Sequence, residues 1–203
     1  MTDLSGLKVK IFADGADLDG IKTMAANPLI KGFTTNPTLM RKAGVADYET
    51  FARAVLEVVP DRPVSFEVFA DEPEEMERQA LEIASWGKNV NVKIPVTNTE
   101  GAFSGELIKR LSHAGVTLNV TAIMTLDQVE RVVACLSAET PALVSVFAGR
   151  IADTGRDPIP VMRDCVNALK AKPLSELIWA SPRELLNIFH ADSVGCQIIT
   201  VTN

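Results

Sequence analysis

The sequence predicts a single α/β domain spanning residues 1–203, a (β/α)8 barrel of the TIM type. Three observations carry the prediction. Short apolar runs alternate with segments of helical period from one end of the chain to the other. Eight such runs can be drawn, each but the last followed by a helical segment. No Ser/Gly-rich linker or charge block interrupts them. An open doubly wound sheet is the competing arrangement. Eight repeats favour closure, although 203 residues is short against the roughly 250 typical of such barrels.

The strands are expected at 9–13, 32–35, 64–68, 90–94, 117–120, 143–146, 176–179 and 197–201. In KVKIFAD, Val9, Ile11 and Ala13 share one face while Asp14 falls on the other, because side chains alternate along a strand. In GFTTNP, Phe33 and Thr35 oppose Thr34 and Asn36; in VSFEVFAD, Val64, Phe66 and Val68 oppose Ser65 and Glu67. VNVKIPVT sets Val90, Val92, Ile94 and Val96 against Asn91 and Lys93. TLNVTA sets Leu118 and Val120 against Thr117, Asn119 and Thr121, and LVSVFAGR sets Val144 and Val146 against Ser145 and Phe147.

Between the strands, Tyr48, Phe51, Ala52, Val55 and Val59 form one helical stripe. Met76, Ala80, Ile83 and Ala84 form a second, and Val129, Val132, Val133 and Leu136 a third. Asp71 with Glu74 and Thr125 with Gln128 have capping-box spacing, Pro73 and Pro182 suit first-turn positions, and Gly87 and Gly115 suit helix stops.

A chain 47% hydrophobic can bury a substantial core. Its net charge of −6 argues against nucleic acid or an anionic membrane as partner. Cys135, Cys165 and Cys196 are odd in number and widely spaced, which fits reduced cytoplasmic thiols better than a disulfide framework or zinc site. MTDLSGLKVKIF lacks the apolar stretch of an export signal, and no run of about 18 apolar residues exists. A soluble, unexported protein is expected.

In a barrel, the polar parities place Asp14, Asn36, Glu67, Lys93, Asn119, Thr121 and Ser145 in one lumen, near the C-terminal ends of their strands, where barrel active sites lie. Taken alone, a strand lysine is more often a snorkelling or edge residue than a catalyst. Seven polar residues of matching parity are harder to assign to chance. His113 and His190 sit on no strand end, HAD at 190–192 reads as a helix terminus, and neither a metal motif nor a phosphate loop is present. A desolvated lysine instead suggests an amine nucleophile that forms a Schiff base with a carbonyl. Bond cleavage beside the resulting iminium needs a base, for which Asp14 and Glu67 are candidates. Asn36, Asn119 and Ser145 suit the hydroxyls of a polyol. Arg150, and Arg183 following Ser181, suit a phosphate, with Ser181 capping a helix from Pro182. For each arginine, an ordinary exposed surface charge is the competing reading.

These residues resemble the transaldolases, specifically the short transaldolase and fructose-6-phosphate aldolase branch. The resemblance runs in order through FAD at 12–14, TTNP at 34–37, FEV at 66–68, VKIPVT at 92–97, NVT at 119–121, SVFAGR at 145–150 and ASPR at 180–183. It implies that Lys93 is the Schiff-base lysine, Asp14 the acid–base residue at the C4 hydroxyl, and Glu67 with Thr121 the pair that holds the catalytic water. It further implies that Asn36, Asn119 and Ser145 hold a dihydroxyacetone moiety and that Arg150, Ser181 and Arg183 bind phosphate. No cofactor or metal is implied.

The implied activity is transfer of a three-carbon unit between sugar phosphates in the non-oxidative pentose phosphate pathway, by a homo-oligomer of five or ten subunits. Within the branch, Glu67 and Phe147 resemble transaldolases, where fructose-6-phosphate aldolases carry Gln and Tyr. A non-catalytic sugar-phosphate-binding barrel is the reading from another class, against which Lys93 and Asp14 are both retained. The chain stops at ITVTN, after the eighth strand, where the resemblance implies a closing helix and a tail packed on a neighbouring subunit.

Overall fold

The computed structural model describes residues 6–42, 44–45 and 47–202; MTDLS at the start and the last residue of ITVTN lie outside them. Eight parallel strands close into a barrel in sequence order. They are β1 (Lys10–Asp14), β2 (Ile30–Thr34), β3 (Val64–Glu67), β4 (Val90–Pro95), β5 (Leu118–Ile123), β6 (Ala142–Val146), β7 (Ser175–Trp179) and β8 (Ile198–Thr202). The helices are α1 (Leu18–Ala25), α2 (Pro37–Lys42), α3 (Tyr48–Val58), α4 (Pro73–Ala84), α5 (Gly105–His113), α6 (Leu126–Cys135), α7 (Ala148–Asp153), α8 (Pro158–Leu169) and α9 (Leu186–Ser193).

Two strands are thus followed by two helices where one is expected. After β2, Asp47 restarts the helical path by accepting from the backbone of Thr50 at 2.7 Å. After β6, Asp157 does so by accepting from Ile159 at 2.9 Å, with Pro158 in the first turn.

The alternation along the strands separates two apolar bodies. Outward residues, among them Phe33, Phe66, Val92, Ile94, Val120, Val144 and Trp179, pack against the three helical stripes in one large core. Inward, Phe12, Leu143, Ile178, Ala180 and Ile198 form a separate cluster that plugs the lumen. The Phe12 ring occupies the space above Gly32, where an added Cβ would meet it at 2.5 Å. The plug is a packed floor, as expected of a barrel of this strand number.

Local signals hold in part. Thr125 and Gln128 form a reciprocal capping box at α6. Pro73 opens α4, and Gly115 follows α5 at φ +85°, a left-handed conformation that suits glycine. Three readings are corrected. Asp71 does not cap α4, whose N-cap is Glu72; its carboxylate is taken by the backbone and hydroxyl of Thr99, on the neighbouring loop after β4. Gly87 is not the stop of α4, which ends at Ala84 and is capped by Ser85. Pro182 starts no helix, because Ser181 takes φ +60° and helical geometry resumes only at Leu186.

The cysteines are unpaired, with Cys165 and Cys196 buried. Burial pushes both of their thiols up to about 12. Among the described residues, no helix is long and apolar enough to cross a membrane.

Candidate active site

A cavity of about 600 Å³ opens at the C-terminal end of the strands. Every candidate residue read from the sequence lies on its wall: Asp14, Asn36, Glu67, Lys93, Asn119, Thr121, Ser145, Phe147, Arg150, Ser181 and Arg183. They come from strand ends and the loops and helix starts that follow, so the barrel register assembles what the chain keeps up to 169 residues apart.

Lys93 sits in mid-strand on β4, paired in register with Glu67 on β3 and Asn119 on β5. It is only 8% exposed. Its Nζ donates to the Thr35 carbonyl at 2.8 Å and lies 2.9 Å from Glu67 Oε2. A buried ammonium needs such partners, since leaving one unpaired is costly. Tyr48 braces the carboxylate side from behind, donating its hydroxyl to the Glu67 carbonyl oxygen at 2.9 Å.

Asp14 closes the other side. Thr34 Oγ1 donates to Asp14 Oδ1 at 2.8 Å, and Asn36 Nδ2 reaches Oδ2 at 3.4 Å. Burial pushes the Asp14 carboxyl above its ordinary value, while the Lys93 charge and the two hydrogen bonds oppose the rise. A carboxylate so placed takes up a proton more readily than an exposed one. Deeper in the lumen, Ser145 Oγ donates to Asn119 Oδ1 at 2.7 Å, and Asn119 Nδ2 donates to Ser65 Oγ at 3.0 Å. This chain spans β6, β5 and β3 and fixes the Asn119 amide. Thr121 lies just before Ala122, whose φ of +62° accompanies a register shift between β5 and β6.

The rim carries the positive charge. Arg150 rises from α7, and Arg183 lies in the loop after β7. Arg183 Nε donates to Asp153 Oδ1 at 2.9 Å, Nη2 donates to Asp153 Oδ2, and Nη1 donates to the Ser181 carbonyl at 2.9 Å. These bonds hold the Asp153 carboxyl below its ordinary value. Ser181 caps no helix, since helical geometry after it begins only at Leu186.

Among the described residues, no three His, Cys, Asp or Glu side chains converge as a metal site requires. The set suits covalent and acid–base chemistry: a buried amine between two carboxylates, amides and hydroxyls beneath, and guanidinium groups at the mouth.

Thr34, Thr200 and Thr202 also line the cavity and do not figure among the candidates from the sequence. Their signal is the same parity, since Thr200 and Thr202 pair in register with Phe12 and Asp14 on β1. Asp153 leaves no such signal, because its partner lies 30 residues away.

Residues 11–203 match the family described as Transaldolase/Fructose-6-phosphate aldolase. A protein of Dehalococcoides mccartyi named "Probable transaldolase" is 38% identical over 195 residues, covering 95% of this chain and 86% of that one. Proteins of the same name from Thermoanaerobacter sp. and Methanococcus maripaludis are 36% and 35% identical, each over 95% of this chain and 85% and 86% of their own. Solved structures share the fold at low identity. A HpcH/Hpal aldolase/citrate lyase family protein from Burkholderia cenocepacia gives a TM-score of 0.66 at 14% identity, covering 96% of this chain and 88% of that one. Dihydrodipicolinate synthase from Rhodopseudomonas palustris gives 0.63 at 13%, covering 95% and 69%.

Proposed function

The chain belongs to the transaldolase/fructose-6-phosphate aldolase family, and from that premise we propose that it is a transaldolase. In this reading it moves a three-carbon dihydroxyacetone unit from a ketose phosphate, such as fructose 6-phosphate or sedoheptulose 7-phosphate, to an aldose phosphate. The observation that carries the reading is Lys93, buried to 8% exposure at the active end of the barrel, with Glu67 at 2.9 Å and Asp14 on the facing wall.

Lys93 Nζ attacks the donor's C2 carbonyl, and loss of water leaves an iminium. Asp14 takes the proton of the C4 hydroxyl. The C3–C4 bond then breaks, its electron pair passing into the iminium to give an enamine, and the aldehyde departs. Attack by C3 of the enamine on the carbonyl carbon of the acceptor restores a carbon–carbon bond, and Asp14 returns the proton to the new alkoxide. Water held by Glu67 and Thr121 hydrolyses the product iminium. Asn36, Asn119 and Ser145 hold the hydroxyls of the three-carbon unit, while Arg150, Ser181 and Arg183 take the phosphate.

Transfer is favoured over release of free dihydroxyacetone by Glu67 and Phe147, both on the cavity wall, and by the names of the relatives. A phenyl ring has no proton to give the enamine, whereas a phenol does. The test is acceptor dependence. With fructose 6-phosphate as donor, product is expected only when an aldose phosphate is present, and the Glu67→Gln, Phe147→Tyr double variant is expected to release dihydroxyacetone without one. Release by the unmodified protein at the same rate with or without acceptor would make it an aldolase.

A further inference from the structure

Resting on the phosphate reading above, we propose that Asp153 is a positioning residue for the anion pocket. It holds Arg183 so that Arg183 presents the Ser181 hydroxyl, while Arg150, whose guanidinium has no hydrogen-bond partner among the described residues, pairs with the ligand. Asp153 itself is absent from the cavity wall.

The hydrogen-bond count leads there. A guanidinium has five N–H donors. In Arg183, Nε and one N–H of Nη2 go to the two Asp153 oxygens, and Nη1 serves both the Ser181 carbonyl at 2.9 Å and Ser181 Oγ at 3.3 Å. One N–H is left for a ligand, and the charge beside it is already matched by a carboxylate. Arg183 therefore meets a phosphate through that single N–H rather than through a two-pronged fork. Because Ser181 Oγ accepts from Nη1, its own hydrogen is free to donate into the cavity it lines.

The same helix sets the backbone of that serine. Ser181 is held at φ +60°, a costly conformation for a residue with a side chain. Its carbonyl lies so close to α7 that a Cβ at Gly149 would meet it at 1.7 Å. Thus α7 contributes the close approach through Gly149, the anchor through Asp153 and a cation on the cavity wall through Arg150. Exposed ion pairs often contribute little. This one differs in being bidentate and in passing the constraint through Nη1 to a strained residue of the pocket.

The test is calorimetric titration with fructose 6-phosphate and with fructose, which separates phosphate recognition from recognition of the sugar. Asp153→Asn and Arg183→Ala are each expected to reduce the preference for the phosphorylated sugar by about fivefold, the scale of one well-formed charged pair. Asp153→Asn combined with Arg183→Ala should be no worse than Arg183→Ala alone, because Asp153 acts only through Arg183. An unchanged preference in Asp153→Asn, or losses that add in the double variant, would overturn the proposal while leaving the phosphate site standing. A protein that binds both sugars equally, and equally with Arg150→Ala, would overturn the phosphate reading and this inference with it.

Discussion

The lumen of this barrel has two halves made by the same strands. On the floor, the inward positions of β1, β6, β7 and β8 hold Phe12, Leu143, Ile178 and Ile198. At the mouth, the inward positions two residues further along β1, β6 and β8 hold Asp14, Ser145 and Thr200, joined by Glu67 and Lys93 from β3 and β4. The floor is packed to satisfy the fold. The mouth instead gathers two carboxylates and an ammonium out of water, an arrangement that contributes poorly to stability. Stability and chemistry are thus divided along the strand axis, and substitutions in the two halves should have opposite signatures.

The largest expected effect is at the mouth. Lys93→Met removes the proposed nucleophile, and three-carbon transfer should fall by on the order of 10⁴-fold or more, measured as sugar phosphate formed by protein whose circular dichroism is intact. Activity retained within tenfold would break the division. Next is the floor. Phe12 is 1% exposed beneath the site, and Phe12→Ala should cost about 4 kcal/mol of unfolding free energy in urea titration. A cost below roughly 1 kcal/mol would mean that the floor is not a packed core.

The smallest effect has the opposite sign. Burial raises the Asp14 carboxyl above its ordinary value of 3.8, so the folded chain binds that proton more tightly than the unfolded chain does. Wild-type stability from this group is therefore complete at low pH and falls as pH rises from the ordinary value through the folded-state value. Asp14→Asn lacks that loss. The variant should abolish turnover yet be about 1 kcal/mol more stable than wild type at pH 7, with the difference vanishing in acid. A variant less stable at pH 7 would place Asp14 among the stabilising residues.

How much of this could be read from the sequence follows from the range of each interaction. The strands and their inward faces were legible because a period of two needs only the local pattern and a closed sheet. For the same reason Lys93, Asp14 and Glu67 could be named together before their proximity was known. Thr125 with Gln128 was legible because a capping box is closed within four residues. Asp71 has the same spacing to Glu74 but spends its carboxylate on Thr99, 28 residues away. Ser181 before Pro182 reads as a helix start, yet its backbone is set by Gly149 and Arg183. Local pattern fixes which face a residue takes, whereas partner choice between distant loops is set by the closed fold.

The central claim is that Lys93 reacts covalently with a ketose phosphate. Its most direct test is borohydride reduction with fructose 6-phosphate present, followed by peptide mass spectrometry across residues 88 to 110. The predicted result is a three-carbon or six-carbon adduct on Lys93 and on no other lysine. Folded protein that binds the sugar phosphate but carries no adduct, or carries it elsewhere, would contradict the account and leave the barrel a sugar-phosphate-binding protein without this chemistry.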